Sequence, residues 1–137
     1  MRRICLTLLT ALALSLPATA QENAAAPAIE DVIADQMRAF RSEDVDTAFT
    51  FASPGIKGLF QTPERFGAMV RQGYPMVYRN AEVGFLELRE IDGALWQKVT
   101  VRDASGAYHV LDYQMIRTED GWQIDGVRLL RQPQVGA

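Results

Sequence analysis

The chain has 137 residues, 48% of them hydrophobic, with 14 Lys+Arg against 17 Asp+Glu and a net charge of −3. That is one domain's worth of residues with a globular composition, which excludes an extended disordered chain. The acidic balance and the dispersed basic residues exclude a nucleic-acid surface, which needs clustered positive charge.

The first element reads as a leader. Arg2 and Arg3 precede an uncharged apolar run from Ile4 to Leu16, Pro17 breaks it, and Ala18-Thr19-Ala20 supplies small residues for cleavage. At ~1.5 Å per residue the run spans roughly 20 Å, short of the ~30 Å hydrocarbon core of a bilayer. The expectation is therefore a signal peptide over 1–20, cleavage after Ala20, and a periplasmic or secreted product with no membrane segment. The mature chain would have 117 residues and a net charge of −5. Cys5 leaves with the leader, so no disulfide is expected and stability must come from packing.

Residues 21–27 are Ala-rich without apolar periodicity and read as a short tether before a single domain over 28–132. From Ala28, Ile29, Val32, Ile33, Met37 and Phe40 recur at helical spacing. Glu30 and Asp31 then fall in the first turn, Arg38 and Arg41 in the last. Val45, Ala48, Phe49 and Ala52 mark a second short helix, with Asp44 and Asp46 as caps. Ser53-Pro54 and Thr62-Pro63 each pair an N-cap with Pro at the first helical position. The helix begun by Thr62-Pro63 buries Phe66, Met69 and Val70 and ends at Gly73.

After Tyr74-Pro75 the period changes to two. Turn signals at Asp92-Gly93, Asp103-Ala104-Ser105-Gly106 and Glu119-Asp120-Gly121 divide the remainder into strands over 82–91, 94–103, 107–118 and 121–131. The fold class is α+β: N-terminal helices packed on a curved antiparallel meander of about four long strands. An unbroken register through these turns puts Leu86, Leu88, Leu95, Val99, Val101, Leu111, Met115, Val127 and Leu129 on the helix side. Glu87, Lys98, Asp112 and Arg128 then form a charge row on the outer side. Phe85, Trp96, Tyr108, Val110, Ile116, Trp122, Ile124 and Leu130 share that outer side, enough apolar surface to suggest a homodimer through the sheet face.

The polar minority on the helix side is Gln97, His109, Tyr113 and Asp125, candidate liners of a pocket. A bland alternative leaves Asp125 in solvent at the sheet end and Tyr113 packed by its ring. His109 is the only histidine and the mature chain has no cysteine, so no metal or other cofactor is expected. No phosphate loop or nucleophile motif is present. What remains is proton transfer, with Asp125 as general base and Tyr113 as hydrogen-bond donor, residue types that ketosteroid isomerase also uses.

The run from Ala39 to Phe49 and the closing Asp120-Gly121-Trp122-Gln123-Ile124-Asp125-Gly126-Val127 resemble nuclear-transport-factor-like (SnoaL-like) cone domains. Phe51-Ala52-Ser53-Pro54, Phe66 to Val70 and Tyr74-Pro75 resemble an uncharacterised bacterial family within them. The resemblance implies a curved sheet wrapping helices around a conical pocket, often in dimers, in a superfamily of isomerases, dehydratases, cyclases and binding modules. The first helix offers the cone Val32, Ile33, Met37 and Phe40 with Gln36 alongside, and no tyrosine. The leading expectation is a non-catalytic module for a small apolar ligand or a protein partner, with Gln36, Gln97, His109, Tyr113 and Asp125 at its pocket. The alternative is the Asp125/Tyr113 lyase or isomerase. A structural module would have its cone filled by Phe40, Phe66 and Met69.

Overall fold

The computed structural model of the chain describes residues 17–130. The expected leader lies outside the described residues over 1–16. Among the described residues five helices come first: α1 (Ala18–Arg41), α2 (Val45–Thr50), α3 (Pro54–Phe60), α4 (Pro63–Gly73) and α5 (Pro75–Tyr78). Four strands follow: β1 (Asn80–Ile91), β2 (Ala94–Asp103), β3 (Tyr108–Thr118) and β4 (Gly121–Leu130). They form one antiparallel sheet in the order β1-β2-β3-β4. The α+β order, helices then meander, is the expected one.

Local chemistry explains most boundaries. The Asp44 carboxylate accepts from the Thr47 amide, Ser53 Oγ from the Ile56 amide and Thr62 Oγ1 from the Arg65 amide, capping α2, α3 and α4. Asp92 and Gly93, with φ of 51° and 82°, make the tight turn of the first hairpin. The first helix departs from expectation. It begins at Ala18, runs through the segment read as a tether, and carries Pro27 inside it, so Glu30 and Asp31 stand mid-helix. Its buried face includes Ala25, Ile29, Ile33, Met37 and Phe40. Ala25 is a member of the apolar stripe too small to announce itself, and strong alanine propensity sustains the helix around the proline.

The sheet register holds along β2–β3 and shifts three times elsewhere: at the start of β1, between Asn80 and Glu82, and at two bulges within the strands. Phe85 faces Val99 while Leu88 faces Gln97, so Leu86 and Glu87 together oppose Lys98. Gln114 faces Gly126 while Met115 faces Ile124, so Asp125 is the additional residue on β4. Such bulges bend a strand and increase its twist. They also reverse the faces expected beyond them. Phe85, Ile124 and Trp122, expected outside, pack into the core, and Leu86, expected inside, is exposed. Leu129 faces Leu111 as expected but is exposed near the free end of the edge strand.

The core lies between α1, α4 and α5 and the concave face of the sheet, with Val99, Val101 and Leu111 fully buried. The outer charge row forms with a change of partner. Lys98 Nζ meets Glu87 at 2.9 Å, while Asp112 takes two bonds from the Arg89 guanidinium, at 2.6 and 3.1 Å. Arg128 lies over the Trp96 ring at 3.9 Å, so that indole is covered from within the chain.

Candidate functional site: an apolar cavity between the helices and the sheet

The cavity of interest has a volume of about 260 Å³ and lies between α1, α3, α4, α5 and the concave face of β3 and β4. Its walls are Phe40 and Gln36 from α1, Phe66, Met69 and Val70 from α4, and Val77 from α5. Tyr113, Ile124 and Val127 supply the sheet side. The third wall is α3, whose Ile56, Leu59 and Phe60 line the space although none of the helix is buried. Leu59 is 71% exposed and marks the rim. Phe66 organises one side, with its ring 6.0 Å from Phe40, 5.3 Å from Phe49 and 6.0 Å from Phe60. Phe40, Phe66 and Met69 thus border the space without filling it.

Three polar side chains reach the lining: Gln36, Tyr74 and Tyr113. Gln36 Nε2 donates to the Ala48 carbonyl at 3.1 Å, tying α1 to α2. The Tyr74 hydroxyl donates to the Val127 carbonyl at 3.1 Å, tying the end of α4 to β4. The Tyr113 hydroxyl is buried and has no hydrogen-bond partner. The side chain is 1% exposed, and burial, then the neighbouring Tyr74 phenol, push its ionisation well above the ordinary tyrosine value of 10.0. A buried hydroxyl left unpaired costs about 1–3 kcal/mol. An apolar cavity does not admit ordered water easily, since water needs two or more polar partners.

Residues 22–137 match the family described as Domain of unknown function (DUF4864). The chain belongs to that family. No curated protein matches it. Among solved structures, the DUF4864 chain is similar to a phospholipid-binding protein from Ralstonia solanacearum, determined in complex with a phospholipid. The two share 20% identity over 79% of this chain and 76% of that chain, with a TM-score of 0.43.

The other side chains expected at a pocket are spent on the DUF4864 scaffold. Gln97 is 1% exposed, and its Nε2 donates to the carbonyls of Leu86 at 3.0 Å and Lys98 at 2.9 Å, closing the β1 bulge from within. His109 Nε2 lies 2.8 Å from Asp103 Oδ2. Asp103 also accepts from Ser105 Oγ and from the Ser105 and Ala107 amides, an arrangement that shapes the β2–β3 turn. Neither Gln97 nor His109 lines the cavity.

Asp125 is separated from Tyr113 by its own bulge. Its Oδ1 accepts from Ser53 Oγ at 2.7 Å, while the Ser53 amide donates to the Ile124 carbonyl and the Ile124 amide to Phe51. The aspartate therefore fastens the α2–α3 corner to β4. It borders a different, broader groove beside Ala24, Ala25 and Ala28 of α1. The residues paired in the sequence as base and donor do not share the cavity. Among the described residues, no group of three or more His, Cys, Asp or Glu is placed to hold a metal ion.

The α3 liners escaped the sequence reading. Ile56, Leu59 and Phe60 were legible only as a short helical turn, and nothing in their spacing says that the turn stands over a gap. The signal that could have found them is negative: a seven-residue helix with Gly55 and Gly58 is poorly equipped to pack on a core.

Proposed function

We propose that this chain is an exported, non-catalytic member of its family that holds a small apolar ligand in the cavity beneath α3. The observation that carries the reading is the carbon-lined space itself, rimmed by the exposed Leu59 and walled by Phe40, Phe66, Ile124 and Val127. Small-molecule sites combine apolar walls with a few polar groups that fix orientation. At ~30 Å³ per water, about 260 Å³ corresponds to a ligand of about nine non-hydrogen atoms. A protein partner is the less economical reading, because the apolar space lies between the chain's own helices and sheet.

Export rests on the Arg2-Arg3, Ile4–Leu16 and Ala18-Thr19-Ala20 pattern, with the product periplasmic or secreted. The cone-type superfamily suggested by the final strand is part of the same reading, which would make the cavity the mouth of the cone. So is a second copy of the chain against the outer sheet face, where Tyr108 and Ile116 are exposed.

Binding of 1-octanol, a neutral probe of nine non-hydrogen atoms, compared by titration calorimetry between the wild type and Val127→Phe, tests the cavity. Val127 is a half-buried wall residue whose enlargement takes up the space. Saturable binding that the substitution reduces at least tenfold supports the proposal, whereas equal binding by both proteins puts the probe elsewhere and contradicts it.

A further inference from the structure

We infer that α3 is a lid over the cavity: its short helix loosens and swings aside to admit or release an apolar ligand. The inference deepens the proposed function and rests on the cavity being a ligand site.

α3 differs from the other walls of that space. The parts of α1, α4, α5, β3 and β4 that line it each contribute buried side chains, whereas no residue of α3 is buried. Between its ends, Lys57 Nζ donates to the Thr50 carbonyl at 3.2 Å, an exposed bond, and Phe60 meets Phe66 edge-on at 6.0 Å.

The glycines of α3 weaken it without serving its geometry. Neither Gly55 nor Gly58 has a positive φ. A Cβ at Gly58 would meet nothing within 4 Å, and one at Gly55 would make ordinary contacts of 3.7 Å with Asp125 and 3.8 Å with Ser53. No turn or close approach requires them, so their effect is on stability. Each makes the helix easier to open than alanine would.

The two ends have opposite characters. Ser53, just before the helix, is buried; its amide donates to the Ile124 carbonyl at 2.8 Å and its Oγ to Asp125 at 2.7 Å, a fixed pivot on β4. Gln61, just after it, has φ 69° and ψ −42°, and the Thr62 amide donates across it to the Phe60 carbonyl at 2.8 Å. That is a γ-turn with positive φ, the rare and strained form. Strain of this kind collects at ligand clamps and switches, and it is relieved when α3 swings away. A fixed pivot, a strained turn and a weak helix between them make a flap. Its inner residues, Ile56, Leu59 and Phe60, are the cavity's own wall, so a ligand beneath them holds the flap down.

The test combines amide hydrogen exchange with NMR line shapes of the Ile124 and Val127 methyl groups during titration with 1-octanol, on the wild type and Gly58→Ala. In the free wild type, the amides from Gly58 to Gln61 exchange at least tenfold faster than those from Phe66 to Val70, and saturating 1-octanol slows them at least tenfold. Gly58 faces open space away from the cavity, so Gly58→Ala folds and strengthens α3 without touching the ligand. It slows 1-octanol association and dissociation alike, each about two- to fivefold, and leaves Kd unchanged. A wall that only contacts the ligand would not shift both rates together at constant Kd.

Unchanged 1-octanol rates in Gly58→Ala overturn the inference, as does exchange of α3 in the free chain as slow as that from Phe66 to Val70. Either result leaves the ligand site standing. Absence of 1-octanol binding removes the site itself and the lid's role with it.

Discussion

The oxygen of Tyr113, buried without a hydrogen-bond partner, is a cost to the fold. Its raised ionisation fixes the sign of a pH effect. A tyrosine whose folded value exceeds its unfolded value contributes stability that is complete below pH 10 and is lost as the pH rises further. In an alkaline absorbance titration, Tyr113 is expected to ionise well above the ordinary tyrosine value, together with unfolding. Asp125 is different in kind, because its carboxylate is bound to a residue that also caps a helix. Ser53→Ala removes both the bond to Asp125 and the cap, and is expected to cost about 1–2 kcal/mol by denaturant unfolding. The affinity for 1-octanol should change little, since neither Ser53 nor Asp125 lines the cavity. A large loss of affinity at unchanged stability would return Asp125 to the binding site.

At the scale of elements, the close approach of α2 and α4 depends on Gly67. A Cβ at that position would lie 2.5 Å from Val45 Cγ1 and 3.1 Å from Val45 Cβ. Gly67→Ala should therefore destabilise the chain by about 1–3 kcal/mol despite alanine's better helix propensity, read as a lower thermal midpoint. The β2–β3 turn supplies an acid-side prediction. Hydrogen bonds from Ser105 and then His109 hold the Asp103 carboxylate well below its usual 3.8. Its contribution is present above that value and is lost progressively as the pH falls below it, so Asp103→Asn should lower the thermal midpoint at pH 7 and lower it steadily less as the pH falls below 3.8. These elements also show what the sequence makes legible. Caps and tight turns are written locally, so Ser53-Pro54, Thr62-Pro63 and Asp92-Gly93 announced their boundaries. Bulges are not local: nothing in Leu86-Glu87 or Asp125 shows that two residues oppose one until the neighbouring strand is in place. The upstream reach of α1 was hidden because Ala25 carries the apolar period without apolar bulk. Tyr113 and Gln36 could be placed facing the helices by periodicity alone. The gap between them is a tertiary quantity that no residue spacing encodes.

For the whole molecule, the two bulges bend the sheet and carry Phe85, Ile124 and Trp122 from the outer face into the core. The same turning leaves less apolar surface outside than an unbroken sheet would show. Ile124 also becomes a wall of the cavity, so the curvature helps to make the site. The proposed ligand would stabilise the folded chain by mass action, by roughly 2.7 kcal/mol at a hundredfold excess of ligand over Kd. The most direct measurement of the central claim is native mass spectrometry of the wild type and Val127→Phe, each released gently from the organism that makes it. The account predicts a bound neutral small molecule on the wild type and the bare chain for Val127→Phe. Two bare chains, or the same adduct on both, would contradict it.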